Sequence, residues 1–69
     1  MAIDERMEHL INRMAAKGFE WRLEPTEEGI TVTFTKDRVS VDISSLVVRN
    51  NPIPLIERNI EYSYTKAVG

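Results

Sequence analysis

The chain has 69 residues, which is room for a single domain, because at this size only about 60% of the unfolded surface is buried on folding. Its 42% hydrophobic and 29% charged content is that of an ordinary globular protein. It has no cysteine, which excludes disulfides and thiolate chemistry, and its one histidine, His9, is too little for a zinc site. We therefore expect one domain, 1–69, that binds no metal and no cofactor.

The charge is weak and uneven. Residues 1–35 carry seven acidic and four basic side chains, and residues 36–69 carry four acidic and five basic ones, for a net charge of −2. Neither half is basic enough to predict binding to a phosphate backbone. The charged start of the chain does not resemble a secretory leader, and no apolar run approaches the roughly 20 residues of a membrane span. We expect a cytoplasmic protein with no membrane partner.

The first segment, 3–17, has the periodicity of an amphipathic helix. Its apolar residues fall within a stripe about 100° wide on the helical wheel. They are Ile3, Met7, Leu10, Ile11 and Met14. Asp4 near the start and Lys17 at the end suit the helix dipole, and Gly18 is in position for a left-handed cap.

From Phe19 to Ser44 the period changes to two, which predicts three half-buried strands in an antiparallel meander. The inward positions are apolar and the outward ones carry charge, Thr or Ser, so one face should pack on helices. The inward residues are Phe19, Trp21, Leu23, Ile30, Val32, Phe34, Val39, Val41 and Ile43. Pro25 should end the first strand, and polar turns are expected at 26–29 and 36–38.

The sequence after residue 44 allows more than one structure. The alternation breaks at 44–45, which marks either a bulge or the end of the third strand. A breaker cluster at 50–54 follows, too short to separate two domains. The last segment, 54–69, begins with a proline and is mostly helix-compatible, so we favour a helix. Residues 62–65 have β-propensity, and a strand remains the alternative.

These elements predict an α+β domain of order αβββα, with an N-terminal helix and a C-terminal helix on one face of the meander. The order resembles that of double-stranded-RNA-binding domains, and the resemblance ends there. Such domains open their second helix with a lysine cluster, where this chain has Pro54, Leu55, Ile56 and Glu57, followed by Arg58. We expect no nucleic-acid partner, and rank nucleic-acid binding third among possible functions.

No catalytic constellation is recognisable. The chain has no phosphate-binding glycine motif and no metalloprotease motif. His9 lies about 140° around the first helix from its apolar stripe, which predicts a solvated surface residue. Glu20, Glu24 and Asp42 share the outward face of the sheet, where a carboxylate pair could hold a cation or transfer protons, but alternating charge on a solvated face explains them without a site.

The aromatic residues of the strands are expected in the core. Trp21, Phe19 and Phe34 have the inward phase, so they are core residues rather than a stacking platform for bases. Trp21 is the largest of these, and truncating it should cost about 3–5 kcal/mol. The outward threonines, Thr31 among them, form a favourable β-surface that a dimer could also use.

The most suggestive surface is at the C-terminal segment, if that segment is helical. Leu55 and Tyr62, one heptad apart with Arg58 between them, then project away from the core face. Tyr and Arg are enriched at interface hot spots, which makes these three residues our predicted partner-binding residues. Two incidental exposed apolar side chains are the alternative interpretation.

The leading functional hypothesis is a non-enzymatic protein-binding module, such as a stand-alone inhibitor or adaptor, that acts as a homodimer. A small core without disulfides or metal favours self-association. The alternative is a small-ligand or nucleotide binder with its pocket at a dimer seam.

Overall fold

A computed structural model describes residues 5–69 of the chain. Its elements are α1 (Glu5–Ala16), β1 (Glu20–Thr26), β2 (Gly29–Lys36), β3 (Val39–Ser44), α2 (Ser45–Asn50) and α3 (Ile53–Val68). The predicted αβββα order is confirmed, with the short helix α2 added before the C-terminal helix. Ile3 and Asp4, which the sequence assigned to the first helix, lie outside the described residues.

The end of α1 follows from Gly18. This glycine has a φ of 95°, which side chains with a Cβ rarely adopt. Its N–H donates to the carbonyl of Ala15 at 3.0 Å, and the N–H of Phe19 donates to that of Met14 at 3.1 Å. This pair of hydrogen bonds is a Schellman motif, so the predicted left-handed cap is confirmed. It turns the chain directly into β1.

The three strands form one antiparallel sheet in the order β1-β2-β3. The turn between β2 and β3 consists of Asp37 and Arg38, whose φ values of 52° and 71° are those of a type I′ hairpin. The register places Trp21 opposite Phe34, and Phe34 opposite Val41. Directly opposed side chains lie on the same face, so the predicted phase of all three strands is correct.

Pro25 does not end β1, contrary to the sequence-based prediction. It lies within the strand, opposite Ile30. Hydrogen-bonded pairs alternate along an antiparallel ladder, and Lys36 and Val39 flank the tight turn as such a pair. If this alternation is followed from Lys36 along β2 and across to β1, the odd-numbered residues of β1 direct their backbone N–H and C=O groups away from β2. A proline tolerates that position because it has no N–H to lose.

The predicted burial of Trp21 is also wrong. Its side chain lies on the helix side of the sheet, yet Trp21 is 48% exposed, whereas Phe34 opposite it is fully buried. The difference arises because β1 is an edge strand and β2 is the central one. Periodicity gives the face on which a side chain lies, and the position of its strand decides how far the helices cover it.

The alternation after β3 breaks because the strand ends and α2 begins. Ser44 is the N-cap of α2, and its hydroxyl accepts a hydrogen bond from the N–H of Val47 at 3.3 Å. At the other end, the Arg6 side chain of α1 donates to the carbonyl of Val48 at 2.7 and 3.0 Å and also to that of Asn51. These bonds satisfy carbonyls that a helix end leaves unpaired.

The C-terminal segment is a helix, α3, so the strand alternative is excluded. Its apolar face closes a core to which both long helices, the sheet and α2 contribute. The buried apolar residues are Met7, Leu10, Ile11, Met14, Phe19, Val32, Phe34, Val48, Ile53, Ile56 and Ile60. Within residues 5–69, no helix combines the length and apolar character needed to cross a membrane.

Candidate functional site

The predicted partner-binding residues share one exposed side of α3, which we call the α3 outer face: Leu55, Arg58 and Tyr62. Leu55 is 42% exposed and Tyr62 is 62% exposed, and Arg58 is exposed between them. Seven residues are close to two helical turns, so Leu55 and Tyr62 lie almost in line along the helix. The structure therefore brings the three residues together on one surface.

The α3 outer face carries positive charge around its apolar residues. The ammonium of Lys66 lies 5.7 Å from the centre of the Tyr62 ring, within the range of a cation–π contact. Arg58 adds a second cation. The opposite side of the helix holds Ile56 and Ile60 in the core, so the helix cannot rotate to bury Tyr62 without exposing them. This apolar and basic surface is a fixed feature of the fold.

Helix α3 is held against α1 by ion pairs around Glu57. Nε of Arg13 lies 2.6 Å from Oε1 of Glu57, and Nζ of Lys17 lies 3.1 Å from Oε2. Lys17 also pairs with Glu61 one turn further along α3. Glu57 is buried, although its cationic partners are exposed. The orientation of α3, and with it that of the α3 outer face, is therefore fixed by charge as well as by apolar packing.

The hydrogen bond from Arg13 holds the pKa of Glu57 below its ordinary value, and the bond from Lys17 acts in the same direction. Burial of the carboxyl opposes both by raising the pKa. The pKa values of Arg13 and Lys17 are raised in turn by their bonds to Glu57 and Glu61. Glu57 is thus a structural anion and not a proton donor at neutral pH.

An open groove of about 300 Å³ runs beside these ion pairs. It is lined by His9, Asn12, Arg13, Ala16, Lys17 and Glu57. His9 is exposed on α1, as the sequence predicts. Both cations of the groove are already neutralised by carboxylates, which leaves little to attract a charged ligand. The groove therefore gives weak support to small-molecule binding.

A second cluster joins the hairpin end of the sheet to α3. The ring centres of Phe19 and Tyr64 are 5.5 Å apart in an edge-on arrangement, and the Lys36 ammonium lies 5.2 and 5.1 Å from the two rings. Lys36 also donates to the carbonyl of Lys17 at 2.9 Å. The hydroxyl of Tyr64 donates to Asp37, and this hydrogen bond raises the pKa of Tyr64. The cluster fixes the hairpin and presents no free cation to a ligand.

The outward face of the sheet is polar and internally bonded. Thr33 donates to the Asp42 carboxylate at 2.8 Å, and the hydroxyls of Thr35 and Ser40 are 3.2 Å apart. Over residues 5–69, no group of three or more His, Cys, Asp or Glu side chains is arranged to hold a metal ion. In the same part of the chain, every buried side-chain N or O atom has a hydrogen-bond partner. Among the described residues, therefore, no buried side-chain N or O atom lacks a partner that a ligand would have to supply.

Sequence reasoning identified the α3 outer face but missed the ion pairs behind it. A glutamate between two core isoleucines, at the spacing of Ile56, Glu57 and Ile60, could have indicated a buried carboxylate that needs a cation. Comparisons of the chain with protein-family models, with curated proteins and with solved structures found no match.

Proposed function

We propose that the chain is a non-enzymatic, cytoplasmic protein-binding module, such as a stand-alone inhibitor or adaptor, that acts as a homodimer and binds its partner protein through the α3 outer face. The observation that supports this most is the exposure of Leu55 and Tyr62 on a helix whose opposite side carries the buried core residues Ile53, Ile56 and Ile60. Large exposed apolar side chains beside an arginine have the composition of an interface hot spot.

The charges on the α3 outer face indicate the chemistry of the partner. Arg58 and Lys66 flank the apolar side chains, so a complementary surface would offer an apolar pocket for Tyr62 with carboxylates at its rim. Because the ion pairs of Glu57 fix the helix, little conformational freedom of α3 is lost on binding. A rigid helix of this kind fits the helix-in-groove mode of recognition.

The test is retention of a partner by the tagged chain from its native lysate, followed by an affinity measurement with that purified partner. Arg58→Ala and Tyr62→Ala should each weaken binding by about thirtyfold, which corresponds to about 2 kcal/mol for an interface anchor. Both variants should keep the wild-type circular dichroism spectrum, because neither side chain contributes to the core.

Arg49→Ala is the matched control, since Arg49 is also an exposed arginine, on α2. It should bind like the wild type. Equal affinity of all three variants for the same partner would place the binding surface elsewhere and refute the proposal.

A further inference from the structure

The outer edge of β1 is a strand edge with an exposed aromatic residue beside it. Among residues 5–69, no strand pairs with this edge, since β1 is the first of three strands. The alternation of the ladder directs the backbone N–H and C=O of Trp21 and Leu23 outward, where they can pair with another strand. Trp21, on the helix side, is the most exposed large apolar side chain of the sheet at 48%.

We propose that the outer edge of β1 pairs with β1 of a second copy of this chain, antiparallel and with Leu23 opposite its own counterpart. The product is a continuous six-stranded sheet with a two-fold axis at Leu23. This inference rests on the homodimer of the proposed function and specifies its seam, and it does not depend on the α3 outer face.

The charges along β1 select this register. With Leu23 opposite Leu23, Arg22 of each copy faces Glu24 of the other, which gives two cross-strand pairs of opposite charge. A register centred on Arg22 would instead oppose two arginines and place Glu20 against Glu24. A register centred on Glu24 would oppose two glutamates. Like charges directly opposite one another destabilise a sheet, so both neighbouring registers are disfavoured.

A register centred on Trp21 would also bring together opposite charges, Glu20 against Arg22. It uses the edge groups of Phe19, however, and the N–H of Phe19 already donates to Met14 within its own chain. It would also place Glu24 against the turn at Gly18 of the second copy. The register centred on Leu23 avoids both problems, because Leu23 is the middle residue of β1 and the two strands overlap over their whole length.

Pro25 fits the same register. It would face Trp21 of the second copy, accept a hydrogen bond from the Trp21 N–H and lay its ring against the indole. The two-fold axis of this pairing is perpendicular to the sheet, so the helices of both copies lie on the same side of it. There they would enclose the exposed indole of Trp21. The α3 outer face stays accessible, since α3 packs on β3 at the opposite edge of the sheet.

A charge exchange tests the register directly. Light scattering should report twice the 8.0 kDa chain mass for the wild type. Arg22→Glu or Glu24→Arg alone would create like-charge pairs and should weaken the dimer by about tenfold or more. The double variant Arg22→Glu with Glu24→Arg should restore it. Arg38→Glu is a matched charge reversal at the β2–β3 turn, away from the outer edge of β1, and should leave the dimer unchanged.

A single introduced cysteine gives a second readout, since the chain has none of its own. Leu23→Cys should crosslink to its counterpart with a short bifunctional thiol reagent. Ile43→Cys, on the same face of β3, should not. Trp21 is the one tryptophan, so its emission should shift to longer wavelength when the wild-type dimer is diluted into monomers.

Three results would overturn the inference: a monomer at all concentrations, a dimer that fails to crosslink through Cys at position 23, or a dimer whose affinity ignores the charge exchange. The proposed binding of a partner protein is tested separately from dimerisation. Tyr62→Ala should dimerise like the wild type, and a β1 variant that is monomeric yet binds the partner through Arg58 would separate the two functions of the chain.

Discussion

At the scale of single residues, Glu57 links the two long helices through ion pairs. It is a buried carboxylate between two cations at 2.6 and 3.1 Å, Arg13 of α1 and Lys17 just after the end of that helix. This arrangement stabilises the fold while the Glu57 carboxylate is ionised, because the two cations already lie within ion-pair distance of it. The partners of Glu57 are solvent-exposed, so solvent screens the interaction and keeps its contribution modest.

The Glu57→Gln variant should be less stable at neutral pH by about 1 kcal/mol after allowance for solvent screening. Because the pKa of Glu57 is lowered on folding, its contribution is complete above the ordinary value of 4.5 and disappears as the pH falls through the folded-state pKa. The wild-type and Glu57→Gln unfolding free energies, measured in urea at several pH values, should therefore differ at pH 7 and converge in acid.

Asn59→Gln, an exposed change on α3 that alters no charge, is the control, and its difference from the wild type should not vary with pH. A constant difference between Glu57→Gln and the wild type from neutral to strongly acidic pH would show that the carboxylate charge is not what stabilises the helix contact.

At the scale of elements, hydrophobic periodicity predicts this fold well. The stripe of α1, the Gly18 cap and the phase of all three strands follow from residue order, because those patterns are local. Three features of the structure could not be predicted from these local patterns. The helix α2 depends on a serine cap within a short apolar run. The position of Pro25 depends on which edge of β1 is free, and the exposure of Trp21 depends on which strand the helices cover.

The residues of the candidate site also fall into those that local sequence patterns predict and those that they do not. The residues of the α3 outer face were found because a helical phase separates them from the core positions of one segment. Glu57 and its cations were not found, because they lie on two helices far apart in sequence. Pairings of that kind are fixed by tertiary packing, which no local pattern records.

The unequal covering of the strands gives a prediction that reverses the one made from sequence for Trp21. Phe34, on the central strand, is fully buried, so Phe34→Ala should cost about 3–5 kcal/mol. Trp21→Ala should cost less than about 1.5 kcal/mol in the monomer, since half of that side chain is already in water. Urea unfolding followed by circular dichroism, at concentrations below dimer formation, measures both. Equal losses would mean that the helices cover β1 as fully as β2.

For the whole molecule, the main constraint is size. A chain of 69 residues has a small core, and this one has neither a disulfide nor, in the part that the structure describes, a cluster of metal ligands. Within residues 5–69, the large exposed apolar side chains lie at four places: beside the outer edge of β1, on the α3 outer face, on α2 at Leu46 and Val47, and at the end of α3 at Val68. Burying the first against a second copy would enlarge the core and leave the second for another protein.

This leads to a prediction about stability that the monomer alone would not show. If the native chain dimerises and the unfolded chain does not, the melting temperature must rise with protein concentration, because association removes native monomer from the unfolding equilibrium. At a hundred times the dimer dissociation constant this linkage amounts to about 2.7 kcal/mol, which for a domain of this size is a shift of roughly 10–20 °C. Thermal unfolding over three decades of protein concentration measures this shift. Arg22→Glu should make the melting temperature less dependent on concentration, and the charge-exchanged double variant should restore the dependence. A wild-type melting temperature independent of concentration would show that folding and association are not coupled.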